Sequence, residues 1–151
     1  MFTSAEEVKH RSVFISDNVE TANVERILNA VHENEIVPLL GSYYDTLHTA
    51  FTSDTLSPQQ KELVRLLKLA YICCVERDAA VQFTYRITNA GLGIFQPEGF
   101  QVKEGGNMLE YFARNADSAL DRCREKLKEI LGTPQSSCGS EESVLLPFLM
   151  R

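Results

Sequence analysis

The chain has 151 residues and a mass of 17.0 kDa, the size of one domain. Its 44% apolar content can build a core and its 24% charged content is ordinary for a water-facing surface, which excludes a disordered or low-complexity scaffold. With 15 basic against 21 acidic residues the net charge is -6, which argues against a dedicated nucleic-acid binder, since those carry a basic stripe that releases counterions from phosphates.

The opening stretch, Met1 to Ser12, mixes acidic and basic residues around no apolar centre, so it is not read as a signal peptide. No run approaches the roughly 18 apolar residues of a membrane helix. Ser12-Val13-Phe14-Ile15-Ser16 is a short apolar patch, read as a strand or an anchoring arm. The first helix is expected from Asp17, whose side chain can cap it with Glu20 three residues on. Val24, Ile27, Leu28 and Val31 then repeat at the spacing of one helix face. Pro38 lacks a backbone donor and restricts Val37, so this helix should end or kink near it.

Gly41 follows, and Tyr43, Tyr44, Leu47 and Phe51 suggest a short second helix from about Ser42 to Ala50, its tyrosines turned to the core. The third helix has the strongest start: Ser57 as N-cap, Pro58 in the first position and Gln60 closing a capping box. Leu63, Leu66, Leu67, Ala70, Tyr71 and Cys74 give it an apolar face, continued by Ala79, Ala80 and Phe83. The pattern predicts about 25 residues and a central place in the fold. At its far end Phe83, Tyr85 and Ile87 alternate with polar residues, Asn89-Ala90-Gly91 is a turn signal, and Leu92, Gly93, Ile94 and Phe95 can return as a second strand.

A fourth helix is expected from Asn107 to Leu131, with a stripe from Leu109 and Phe112 through Ala116, Leu120, Cys123 and Leu127 to Leu131. Gly132 is its C-cap and Pro134 forbids continuation. Beyond it, Gln135 to Ser143 reads as a polar linker, followed by the apolar octamer Val144-Leu145-Leu146-Pro147-Phe148-Leu149-Met150-Arg151. Such a segment is costly to leave in water, so it folds back on its own domain or docks on a partner. The fold class is therefore mainly α. It is a small bundle of about four helices over 1–132, with a β-hairpin or extended loop between the last two long helices and a C-terminal tail over 133–151.

Little in the chain suggests chemistry. Cys73, Cys74, Cys123 and Cys138 form no C-x-x-C pair, and adjacent helical residues point about 100° apart, so free thiols are expected rather than a metal site. His32 and Glu35 share a helix face without a second such pair, and His32 reads as an exposed helical histidine. Gly91-Leu92-Gly93 lacks the third glycine and the following helix of a dinucleotide loop. No catalytic residue, cofactor site or metal ligand is assigned. A small cytoplasmic helical regulator, binding a partner through its apolar tail, is one reading of such a chain. A DNA-binding regulator is set aside because no helix carries a one-sided basic face.

The order of the pieces is more informative than any one of them. Val24-Glu25-Arg26-Ile27 is followed by Ile36-Val37-Pro38-Leu39-Leu40-Gly41 and Tyr43-Tyr44-Asp45-Thr46-Leu47. A long helix then leads into Arg86-Ile87-Thr88-Asn89-Ala90-Gly91, and the last closes on Glu129-Ile130-Leu131-Gly132. Over residues 14–132 this resembles the head–tail connector (head-completion, adaptor) proteins of tailed phages, particularly those from phages of Bacteroidetes-type hosts. The resemblance implies a structural protein of the virion, assembled in the host cytoplasm. Copies would form a ring at the head–tail junction, without catalysis or membrane contact, joining the portal protein to the tail or to further connector proteins. Genomic DNA would pass through without specific binding. On this view an assembly loop (Phe83, Tyr85, Ile87, Asn89, Gly91, Leu92, Ile94, Phe95) and the tail (Val144, Leu145, Leu146, Phe148, Leu149, Met150) carry the contacts to portal and neighbouring copies. Residues 1–37 carry 3 basic and 7 acidic groups, and residues 38–57 add Asp45 and Asp54. The whole negative excess therefore lies within residues 1–57, the part of the chain that holds the first two predicted helices, a candidate DNA-repelling surface.

Overall fold

In the computed structural model the described residues are 1–15, 19–88, 91–94 and 102–132. They are mainly helical: α1 (Ala5–Arg11), α2 (Thr21–Val31), α3 (Val37–Leu40), α4 (Tyr44–Thr52), α5 (Pro58–Thr84) and α6 (Val102–Leu131). Between α5 and α6 the strands β1 (Tyr85–Thr88) and β2 (Gly91–Ile94) pair antiparallel, with Tyr85 opposite Ile94 and Ile87 opposite Leu92.

The stretch read as a polar start is in fact α1, and it is part of the core. Ser4 caps it, its Oγ accepting from the Glu7 N–H at 3.2 Å, while Glu7 occupies the matching position of a Ser-x-x-Glu start. Phe2, Ala5 and Val8 are buried. Glu7 ties this helix to α5, accepting from Lys68 Nζ at 3.0 Å to both carboxylate oxygens and from Arg11 at 3.3 Å. Burial raises the Glu7 pKa, but the bonds from Lys68, Thr3 and Arg11 outweigh it and hold the carboxyl below its usual range.

The first predicted helix begins later than expected. Asp17 lies outside the described residues, and Glu20 is the N-cap of α2. Its predicted face is the buried one: Val24, Ile27, Leu28 and Val31 all face the core. The regular helix is interrupted near Pro38, as expected, but does not end at it. A single π-helical turn, His32–Ile36, precedes it, and the Val37 N–H reaches back five residues to the His32 carbonyl. The widened turn lets the helix carry a proline that has no N–H of its own, and α3 continues to Leu40. Gly41 makes the break instead, at φ +52° and ψ -131°, a backbone region that disfavours any Cβ. Space is not the obstacle, since nothing lies within 4 Å of a Cβ built there. Gly41→Ala is expected to cost about 1–2 kcal/mol through backbone strain alone, read as a lowered urea midpoint at unchanged m.

A 3₁₀ turn, Gly41–Tyr43, leads into α4. The capping box of α5 forms in both directions: Gln60 N–H donates to Ser57 Oγ at 3.3 Å and Ser57 N–H to Gln60 Oε1 at 2.9 Å. Gln60 Nε2 also donates to Tyr43 Oη at 3.0 Å, linking the turn before α4 to the start of α5. Helix α5 is the central element. Leu63, Val64, Leu67, Ala70, Tyr71, Ile72, Cys74 and Val75 are all buried, more than one stripe of its circumference. Helix α6 is its most extensive partner and contributes Phe112, Ala116, Ala119, Leu120, Cys123 and Leu127. Leu131, expected to close that stripe, is instead 59% exposed. Gly132 at φ +69° lies just beyond the helix.

Candidate interaction surface

Two buried polar groupings stand closest to chemistry, and both fasten helices together. His32 is not an exposed histidine: it is 8% exposed, with Nδ1 at 2.6 Å from Tyr71 Oη and Nε2 at 3.3 Å from Tyr44 Oη. The Phe2 backbone also bonds the Tyr71 oxygen. The pattern that satisfies every group has the Tyr71 hydroxyl donating to Nδ1 and a protonated Nε2 donating to Tyr44. Tyr44 Oη accepts a further bond from the Met1 amine at 3.2 Å. Burial lowers the His32 pKa and raises those of Tyr71 and Tyr44, so the imidazole and both phenols are neutral at pH 7.

Glu35 does not join His32, despite sharing its helix. It accepts two bonds from the Arg77 guanidinium and one from Cys74 Sγ at 3.5 Å, while Arg77 Nε reaches Asp78 at 2.8 Å. Burial alone would lower the Arg77 pKa, but the bonds to Glu35 and Asp78 overcome it and raise it. Cys73 is half-buried, and Cys74 and Cys123 are buried free thiols. Burial pushes Cys123 up to about 12, which keeps it a protonated, unreactive thiol. Among the described residues no three His, Cys, Asp or Glu side chains are grouped to hold a metal ion, and no helix is long and apolar enough to cross a membrane.

The exposed apolar side chains point elsewhere. Of the two readings of this patch, a strand or an anchoring arm, the strand does not form: Ser12–Ile15 is a bent segment. Ser12 sets the bend: its Oγ donates to Glu76 Oε1 at 2.6 Å and accepts from the N–H groups of Phe14 at 3.1 Å and Ile15 at 2.9 Å. Ile15 is thereby buried, while Val13 is fully exposed and Phe14 is 38% exposed. Phe14 packs against Phe112 at 4.8 Å between ring centroids, and Tyr111, 61% exposed, meets Phe112 edge-on at 5.7 Å. Val13, Phe14, Glu76, Tyr111, Phe112 and Asn115 line a shallow cleft of about 330 Å³. Glu76 and Tyr111 place it toward the end of the α5–α6 pair where the strands emerge.

Of the residues assigned to an assembly loop, Phe83 lies in the last turn of α5, Tyr85 and Ile87 in β1, and Gly91, Leu92 and Ile94 in β2. Asn89, Phe95 and the tail residues Val144, Leu145, Leu146, Phe148, Leu149 and Met150 lie outside the described residues. No local signal singles out Tyr111, and the alternation in Ser12–Ser16 suits a strand that residues 12–15 do not form. The signal for a bent segment was present in Ser12, a residue whose hydroxyl readily captures the N–H groups that follow it. No family model, curated protein or solved structure matches this chain.

Proposed function

We propose that the protein is a structural, non-catalytic assembly subunit, a head–tail connector of a tailed phage that docks through the strand-bearing end of its α5–α6 pair. The observation that carries this reading is the exposed apolar cleft around Val13, Phe14 and Tyr111, held in shape by Ser12 and Glu76 beside that end. Solvent-facing aromatic groups on a rigid support are what a protein partner buries. The partners in this reading are the portal protein, neighbouring copies in a ring, and the tail or further connectors. The loop residues Phe83 to Phe95 and the tail Val144 to Met150 add contacts to the cleft. The acidic first part of the chain faces DNA that passes without being held.

The test is electron microscopy of the purified protein mixed with its candidate portal. Rings or capped portals are expected from the parent chain. The double variant Phe14→Ser, Tyr111→Ser should lose at least about tenfold in portal affinity, as two truncated hot-spot aromatics would, with its helical circular dichroism unchanged. Undiminished capping by the variant would remove the cleft from the contact, and an absence of any parent association would overturn the connector reading. In a second reading, a small helical regulator binds its partner through the same tail, with the groove on α6 as the tail's resting place.

A further inference from the structure

A groove of about 490 Å³ runs between the π-turn with α3 and the C-terminal half of α6. Its floor is apolar, from Leu39, Leu120 and Leu127, and its walls include the exposed Pro38 and Leu131. Arg124 and Lys128, one helical turn apart on α6, also line it. The acidic member, Glu35, is already held by Arg77, and Arg124 bonds Asp121 through Nη1 at 2.6 Å.

We infer that this groove is the intramolecular seat of the chain's own C-terminal segment, Val144 to Met150. Three features identify that occupant. The groove ends at Leu131, and Gly132 with its left-handed φ of +69° directly follows, so the segment leaves α6 at the groove's mouth. The intervening residues 133–143 can span at most about 36–40 Å, while the groove's stretch of α6 from Leu120 to Leu131 is only about 16 Å long, so the chain can double back with slack. The segment is apolar, matching the floor, and is preceded by Glu141 and Glu142, opposite in charge to Arg124 and Lys128. Leu145, Leu146 and Phe148 supply its apolar anchors. Tethering through the short 133–143 stretch presents it at roughly millimolar effective concentration, so even a weak site is filled from within the same chain. Any partner that uses the tail must first displace it from the groove. This holds for a connector and a regulator alike.

Full-length protein labelled at leucine methyls tests the seat by NMR. The tail variant Leu145→Ser, Leu146→Ser, Phe148→Ser should shift the methyls of Leu39, Leu127 and Leu131 and leave those of Leu63 and Leu67, deep in the core, in place. Amide exchange in the last turn of α6 should quicken about tenfold, as expected when a tethered site of roughly 0.1 mM affinity is vacated. In the parent, Lys128→Glu should move the same groove methyls partway toward the tail variant. Unshifted groove methyls in the tail variant would overturn the inference. So would parent groove shifts that disappear on dilution, because the occupant would then be the tail of a second copy.

Discussion

Replacing Phe2 with alanine is expected to destabilise the protein by about 3–5 kcal/mol, the range for emptying a buried aromatic site. The ring is 1% exposed and meets Tyr44, His48 and Phe51 edge-on at centroid distances of 5.8, 5.8 and 5.3 Å. Each such pair adds about 0.5–1.5 kcal/mol beyond the area it buries. The site cannot simply collapse, because its walls belong to α4 and to the His32 cluster, which are held by their own hydrogen bonds. Urea unfolding followed by circular dichroism reads the loss as a lowered midpoint. A loss below about 1 kcal/mol would mean that residues 1–11 open independently of the core, as chain ends commonly do.

Tyr71→Phe removes one oxygen and is expected to cost about 1–3 kcal/mol, because it strands the His32 Nδ1 in a buried setting where water cannot replace the 2.6 Å partner. The same burial makes His32 a source of pH dependence. Its native pKa is lowered chiefly by burial, with the N-terminal ammonium and His48 adding and Glu33 opposing. In the unfolded chain an ordinary histidine takes up its proton near pH 6.5. Between that value and the lower native one, the unfolded chain holds more protons than the native protein, so stability rises with pH across the window. The contribution is complete above about pH 6.5 and is lost as the pH falls below it, the loss ending under the native pKa. Urea midpoints of the parent should therefore fall from pH 7.5 to pH 5.5, and His32→Gln should flatten that fall. An equal fall in both proteins would remove His32 as its source.

Several elements were legible because their causes are local. Ser57, Pro58 and Gln60 sit within four residues of one another, and the capping box they spell is the one that forms. The face of α2 repeats within one helix, so its spacing alone identified Val24, Ile27, Leu28 and Val31 as buried. The Ser4-Ala5-Glu6-Glu7 start of α1 was equally readable but was passed over, since a seven-residue helix has too few turns to show a period. At Pro38 only the fact of an interruption is local. A proline reports a missing N–H, but the π-turn that accommodates it depends on where His32 and Ile36 must both be buried.

Helical class, the acidic balance and the helix stop at Gly132 follow from residue types and spacings, which act over a turn or two of chain. The core assignment of Phe2, the pairing of His32 with Tyr71 rather than Glu35, and the Ser12–Glu76 bond that presents Phe14 join residues 39 to 64 positions apart. No local pattern encodes such meetings. They are set by which faces pack against α5, and that packing turned a histidine read as exposed into a buried hydrogen-bond hub.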